Sequence, residues 1–98
     1  MIAKILIKRR FKEGKTRQVL SLLNELRSRA MHQPGYISGE TLKRLDSPDE
    51  FLVISTWNSS DDWKNWLESA DRKKIQNEVD QLLGGDTVYE IYHYGFTE

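Results

Sequence analysis

The segment Phe51-Leu52-Val53-Ile54-Ser55-Thr56-Trp57 is the clearest β-strand in this sequence, because β-branched and aromatic side chains fill most of it. Successive side chains of a strand point to opposite faces, so Phe51 and Val53 lie opposite Leu52 and Ile54. A strand that is apolar on both faces is typical of a sheet covered on both sides. The segment therefore predicts a sheet with helices on one face and a second layer on the other.

A second strand is predicted just before this segment, from Tyr36 to about Leu45. Pro34-Gly35 ends the preceding helical segment, and Asp46-Ser47-Pro48-Asp49 forms a turn after the strand. Two strands joined so closely pair as an antiparallel hairpin. Strict alternation would place Tyr36 on the same face as Ser38, with Gly39 on the other.

The flanking segments complete the pattern. Apolar residues recur every three or four positions from about Thr16 to Met31, and Thr16 is a candidate helix cap. Asn58 to Asp62 suit a helix N terminus and lead into a helix with Trp63, Trp66 and Leu67. The same reasoning predicts a strand from Ile2 to about Phe11, a helical segment from about Asp71 to Leu83 and a strand from Thr87 to about Tyr94. The order β-α-β-β-α-β predicts one α+β domain of the ferredoxin-like type, with an antiparallel sheet, over residues 1–98.

The last strand is also apolar on both faces. One face carries Val88, Tyr92, Tyr94 and Phe96, and the other carries Tyr89, Ile91 and His93. Soluble monomers rarely expose a large aromatic patch. We therefore expect a homodimer in which a second copy of the sheet covers this face; the alternative is a monomer with the patch exposed.

The composition excludes several classes of function. There are no cysteines, which excludes disulfides, thiolate nucleophiles and cysteine-bound metals. The 15 basic and 15 acidic residues balance, so neither nucleic acid nor an anionic membrane is an expected partner. The N terminus lacks the apolar region of a signal peptide, and no stretch approaches the ~20 apolar residues of a membrane span. A cytoplasmic location is the resulting expectation.

Three tryptophans, Trp57, Trp63 and Trp66, lie within ten positions. The last two are three apart, so they are neighbours on one helix face. Such a cluster can form an aromatic wall that stacks on a flat ligand; the alternative is packing in the core or an interface.

Two polar residues are candidates for chemistry. His93 is the candidate general base, since an imidazole titrates near ~6.5, and the alternative is a surface or interface histidine. Arg72 is the candidate partner of a carboxylate or phenolate, and the alternative is an arginine on the helix surface. Arg9 and Tyr36 could reach the same cavity from the sheet. No spacing of histidine and acidic residues predicts a metal site.

Residues Pro34 to Glu40, Phe51 to Ser59 and Trp63 to Trp66 resemble the antibiotic-biosynthesis-monooxygenase family. The shared features are a proline-glycine-aromatic start to the second strand, a strand that ends in tryptophan, and an aromatic residue nine positions later. The resemblance implies a dimeric α+β barrel with a pocket between sheet and helices in each protomer. It also implies one of several activities: oxygenation of polycyclic phenols or quinols without metal or flavin, haem degradation, or handling of small signalling molecules.

The resemblance transfers few of the family's functional residues. The haem-degrading branch matches at Trp66, while the positions of its asparagine and its iron-binding histidine hold Ile7 and Gln76. Glutamine is a poor iron ligand. The phenol-oxidising branch matches at Trp57, while the positions of its asparagine and tyrosine hold Val53 and Trp63.

We therefore predict a monooxygenase that acts on a small aromatic or quinol-like substrate and uses no cofactor. The predicted catalytic residues are His93 and Arg72, and the predicted substrate-binding residues are Trp57, Trp63, Trp66 and Tyr36. The alternative is a non-catalytic dimeric protein that binds a small molecule, including haem.

Overall fold

The computed structural model describes residues 1–95 as four strands and three helices. In chain order these are β1 (Ala3–Arg10), α1 (Thr16–Ala30), β2 (Tyr36–Lys43), β3 (Glu50–Trp57), α2 (Ser60–Leu67), α3 (Ala70–Leu83) and β4 (Val88–His93). All strand pairs are antiparallel, and the sheet order is β2-β3-β1-β4. The predicted ferredoxin-like α+β fold is confirmed, with two helices, α2 and α3, between β3 and β4. Phe96, which the sequence pattern assigned to the last strand, lies outside the described residues.

The face of the sheet toward the helices forms the core. Every second residue of β1, from Ala3 to Arg9, points to this face. Each of them pairs with a residue of β3, so that Ala3 lies beside Trp57 and Arg9 lies beside Phe51. The helices pack on this face through their apolar stripes, which include Val19, Leu26, Trp63, Trp66, Ile75 and Val79. This layer corresponds to the predicted amphipathic helices, and it encloses the site described below.

The opposite face of the sheet points away from the helices. We call it the half-covered face, because its apolar side chains are only partly buried. Leu6, Leu52 and Ile54 on this face are half-buried, and Val88 and Tyr92 are 49% and 48% exposed. Lys8 and Glu90 form an ion pair of 3.0 Å across β1 and β4 on the same face. The face therefore combines apolar side chains with charges of both signs.

Serine side chains set the start of two of the helices. Ser59 Oγ accepts a hydrogen bond from the Asp62 backbone N–H at the start of α2, and Ser69 Oγ accepts one from Arg72 at the start of α3. The cap predicted at Thr16 is wrong, because Thr16 is the first helical residue of α1 and Lys15 at the cap position makes no side-chain cap bond. None of the helices in residues 1–95 is long and apolar enough to cross a membrane.

A bulge in β2 changes the predicted face of Tyr36. Tyr36 pairs with Trp57 and Ser38 with Thr56, so Ile37 is an extra residue on this strand. One extra residue reverses the alternation. Tyr36 therefore shares the helix side with Gly39 rather than with Ser38. The Tyr36 hydroxyl lies 2.8 Å from the place of a Cβ on Gly39, so the missing side chain leaves room for this ring.

Two glycines with positive φ provide a test of how β2 begins. Gly35 has φ 86°, and a Cβ on it would overlap the Asp62 carboxylate, whereas Gly14 has φ 81° and no atom within 4 Å of that place. We expect Gly14→Ala to lower the free energy of unfolding by about 1 kcal/mol, through backbone strain alone. Gly35→Ala should lower it by about 3 kcal/mol, because the overlap adds to the same strain. Urea denaturation of both variants measures the difference, and equal losses would contradict the close approach of Asp62.

Candidate functional site

A cavity of about 240 Å³ lies between the helix side of the sheet and the helices. Its lining is mainly apolar, with aliphatic side chains from β1, β3 and α1: Ile7, Val53, Leu20, Leu23, Leu26 and Ala30. Small-molecule sites are typically concave and apolar with a few polar groups. The volume suits a ligand smaller than a typical drug.

An aromatic wall forms one side of the cavity. Tyr36, Trp63 and Trp66, three of the four residues predicted to bind substrate, line it. Trp57, the fourth, does not line it; this fully buried ring packs edge-on at 5.4 Å from Tyr36 and 5.9 Å from Trp63, between ring centroids. Its indole N–H donates to Ser55 Oγ at 2.7 Å. Trp57 therefore holds two members of the wall in place from behind.

Arg72 lies buried at the cavity rather than on the surface of α3. Its Nε donates to the Leu67 carbonyl at 2.9 Å, and its Nη1 donates to the Tyr89 hydroxyl at 2.8 Å. The guanidinium carbon is also 5.5 Å from the centre of the Tyr89 ring. These contacts fix a positive charge against the cavity wall.

Arg9 brings a second guanidinium to the cavity from β1. The residue is only 7% exposed, and its Nη2 donates to Gln76 Oε1 at 2.9 Å, while its Nε has no hydrogen-bond partner. Burial lowers the pKa of Arg9, while Tyr89 and Asp80 act in the opposite direction. An arginine nevertheless stays protonated at neutral pH. The sequence signal for Arg9 was its place on the otherwise apolar face of β1.

Gln76 occupies the position at which the haem-degrading branch has its iron ligand. Its Oε1 accepts from Arg9, and its Nε2 donates to Asp80 Oδ1 at 2.8 Å and to Thr87 Oγ1 at 2.9 Å. Both ends of the amide are thus engaged within the protein, and an amide is a poor ligand for haem iron. The residues at this place do not fit a haem site of that type. Sequence reasoning assigned Gln76 no other role, since its partners are distant along the chain.

The structure does not bring His93 to the cavity. This residue ends β4 beside Ala3, is exposed, and is not among the residues that line the cavity. His32 is exposed as well, in the loop after α1, with its Nδ1 2.8 Å from the Ser28 carbonyl oxygen. The described residues that line the cavity therefore include three arginines, of which Arg27 is exposed, and two tyrosines but no histidine.

Comparison with known proteins identifies a family for most of the chain. The family model described as antibiotic biosynthesis monooxygenase matches residues 2–78. Protein SchA of Streptomyces halstedii is 23% identical over 74 residues, which cover 76% of this chain and 20% of that protein. The chain thus spans about a fifth of the length of the curated relative that it matches.

Solved structures share the fold over nearly the whole chain. A protein from Methanosarcina mazei has a TM-score of 0.86 at 18% identity, covering 94% of this chain and 91% of that one. SnoaB, a cofactor-independent oxygenase from Streptomyces nogalater, has a TM-score of 0.80 at 14% identity, covering 98% of this chain and 94% of that one. At these identities the similarity shows a common fold.

Trp57→Phe and Trp63→Phe remove the same atoms from two buried rings that differ in hydrogen bonding. The Trp57 indole N–H has Ser55 as its partner, whereas the Trp63 indole N–H has none. We expect both variants to lose stability through the space left behind, and Trp57→Phe to lose about 1 kcal/mol more. Urea denaturation followed by circular dichroism measures both losses. If the two were equal, the bond between Trp57 and Ser55 would contribute nothing to stability.

Proposed function

Because this chain belongs to the antibiotic biosynthesis monooxygenase family, we propose that its cavity oxygenates a small aromatic, quinol-like substrate without a cofactor. The observation that supports this proposal is an aromatic wall and two buried guanidiniums in a single cavity. The wall suits a flat ring, and the cations suit the negative charge that a quinol carries when it reacts.

The two arginines favour ionisation of the substrate. A phenolic hydroxyl ionises near pH ~10 in water, and a neighbouring cation lowers its pKa. The quinol anion is a much better electron donor to oxygen than the neutral quinol. Arg9 and Arg72 thus supply, by position and charge, part of the role that the sequence assigned to an imidazole base at His93. The proton leaves to water at the open side of the cavity.

The proposed reaction balances without a further reductant. The quinol anion gives an electron to molecular oxygen, and the two radicals combine at a ring carbon to form a peroxide. Loss of water from the peroxide leaves one oxygen atom on the ring, so the quinol becomes a hydroxyquinone. The substrate supplies all four electrons. The aliphatic side chains of the cavity keep water from the anion and the radical pair.

Oxygen uptake with 1,4-dihydroxynaphthalene tests the proposal. Oxygenation yields 2-hydroxy-1,4-naphthoquinone and water, whereas spontaneous oxidation yields 1,4-naphthoquinone and hydrogen peroxide. We expect the protein to produce the hydroxyquinone, with label from ¹⁸O₂ in the new hydroxyl group. Leu20→Trp should lower kcat/KM by about tenfold or more, since Leu20 lines the cavity and is 39% exposed at its open side.

Met31→Trp is the matched control for this variant. Met31 lies at the end of the same helix, is 56% exposed and does not line the cavity. We expect it to leave kcat/KM unchanged. Equal losses of kcat/KM in the two variants would show that the reaction does not take place in the cavity.

A second candidate function is non-catalytic binding of the same class of molecule. The observation that favours it is the lack of a histidine among the described residues of the cavity lining. Binding of several quinols to the wild-type protein without labelled product would support this candidate and overturn the oxygenase proposal.

We further propose that two copies associate through the half-covered face of the sheet. In a two-fold dimer the same surface meets itself, so a surface that carries charges is complementary to itself when both signs are present. This face has that mixture, in the pair of Lys8 and Glu90, beside Leu6 and Ile54. Covering it would remove the partly exposed apolar side chains from water.

Ile54→Glu tests this dimer, because it puts a charge among the apolar side chains between β1 and β2. We expect the variant to sediment as a monomer while the wild type sediments as a dimer, since an unpaired charge is costly in a buried interface. Leu45→Glu, at a residue 95% exposed outside the sheet, should remain dimeric. A wild-type protein that sediments as a monomer at micromolar concentration would contradict the proposal. Circular dichroism checks that each variant is folded.

A further inference from the structure

We propose that the cavity binds an aromatic molecule that carries a carboxylate, and that Arg9 recognises this group. This inference rests on the proposed function, because it names the substrate class of the same cavity. It differs from that function in one respect. The anion here is a permanent charge on the ligand, present before any reaction, rather than the phenolate formed during oxygenation.

Arg9 and Arg72 are two buried cations without an ion-pair partner in residues 1–95. Exposed arginines of the same chain, such as Arg10, Arg29 and Arg44, do form ion pairs with carboxylates. Arg9 reaches Asp80 only indirectly, because Gln76 accepts from Arg9 and donates to Asp80. A buried charge without a close opposite charge is costly. An anionic ligand would remove that cost.

The two guanidiniums belong to the lining of the same cavity. Arg72 donates to the Tyr89 hydroxyl, and both Arg72 and Tyr89 are close enough to Arg9 to affect its pKa. The contact with Leu67 and Tyr89 gives Arg72 a structural role as well. Arg9 has no comparable bond to a backbone carbonyl, and its Nη2 donates to the uncharged side chain of Gln76, so no carboxylate of the described residues neutralises its charge.

Two buried donors at the cavity lack a partner. The Nε of Arg9 and the indole N–H of Trp63 have no hydrogen bond and almost no accessible surface, although other atoms of both residues line the cavity. A ligand carboxylate therefore reaches them only after a small rotation of the two side chains. Buried N–H groups in proteins are nearly always paired. A carboxylate accepts several hydrogen bonds and forms its strongest ones with guanidinium. A neutral quinol hydroxyl provides a single weaker acceptor.

The aromatic residues that line the cavity indicate the uncharged part of the ligand. The ring would lie against Tyr36, Trp63 and Trp66, with its carboxylate toward β1 and α3, which carry Arg9 and Arg72. A ring system of one or two rings fits within the cavity of about 240 Å³. The inferred ligand is therefore a mono- or bicyclic aromatic acid.

Calorimetric titration with 2-naphthoate and 2-naphthamide tests recognition of the charge, since the two molecules share a shape. We expect the wild type to bind 2-naphthoate at least about tenfold more tightly than 2-naphthamide. Arg9→Met should reduce this preference to about twofold and leave the affinity for 2-naphthamide unchanged. Equal affinity of the wild type for the two molecules would overturn the inference.

Arg10→Met is the matched control. It removes the same charge from the next residue of β1, but that side chain is 65% exposed on the other face of the sheet. The preference for 2-naphthoate should persist in this variant. If it were lost equally in both variants, the overall charge of the protein would explain the preference, and the inference would fail.

Thermal unfolding separates recognition from a structural role of Arg9. Because Arg9 has no ion pair to lose, we expect Arg9→Met to keep or raise the midpoint of the ligand-free protein. 2-Naphthoate should raise the midpoint of the wild type and have little effect on Arg9→Met. A lower midpoint together with equal weakening of both ligands would show that Arg9 is structural, which would overturn the inference.

Oxygen uptake distinguishes failure of this inference from failure of the proposed function. The substrates to compare are 1,4-dihydroxynaphthalene and 1,4-dihydroxy-2-naphthoate, which differ by the carboxylate alone. Binding of 2-naphthoate that depends on Arg9, without oxygenation of either quinol, would support the inference and overturn the oxygenase proposal. Equal kcat/KM for both quinols, lowered to the same extent by Arg9→Met, would overturn the inference and support the oxygenase proposal.

Discussion

Trp57 packs without solvent exposure between Tyr36 of β2 and Trp63 of α2, at the end of the central strand β3. The same ring lies beside Ala3 of β1 and donates to Ser55. Through these contacts one side chain links three strands to α2. The separation of the sheet from α2, and with it the width of the cavity, depends on this ring. The cavity is thus a consequence of core packing rather than a depression on the surface.

Periodicity in the sequence was sufficient to predict the order of the strands and helices. β3 and α1 have long, regular apolar patterns, and their observed bounds differ from the predicted ones by one residue at each altered end. The face of Tyr36 was not predictable, because the bulge at Ile37 depends on pairing with β3 rather than on local residue types. The cap of α1 also differed, since Thr16 is a favourable cap residue that the backbone places one position inside the helix.

The site was predictable in part, for a similar reason. Of the expected tryptophan cluster, Trp63 and Trp66 line the cavity together, because helix spacing alone makes them neighbours, whereas Trp57 lies behind them. Alternation along β4 could not show that His93, the last residue of the strand, lies away from the cavity. Arg72 was expected either at a ligand or on the helix surface, and its burial depends on Tyr89, 17 positions later in the chain.

The strand order has a consequence for how the site forms during folding. β1 pairs with β4 over a long separation, since Ala3 lies beside His93, whereas β2 and β3 form a local hairpin. Contacts between distant residues form late, because a long loop must first close. Tyr89 and Thr87 reach Arg72 and Gln76 only when this last pairing is made. On a ribosome, the charged end of the cavity would therefore be assembled only after β4 has been synthesised.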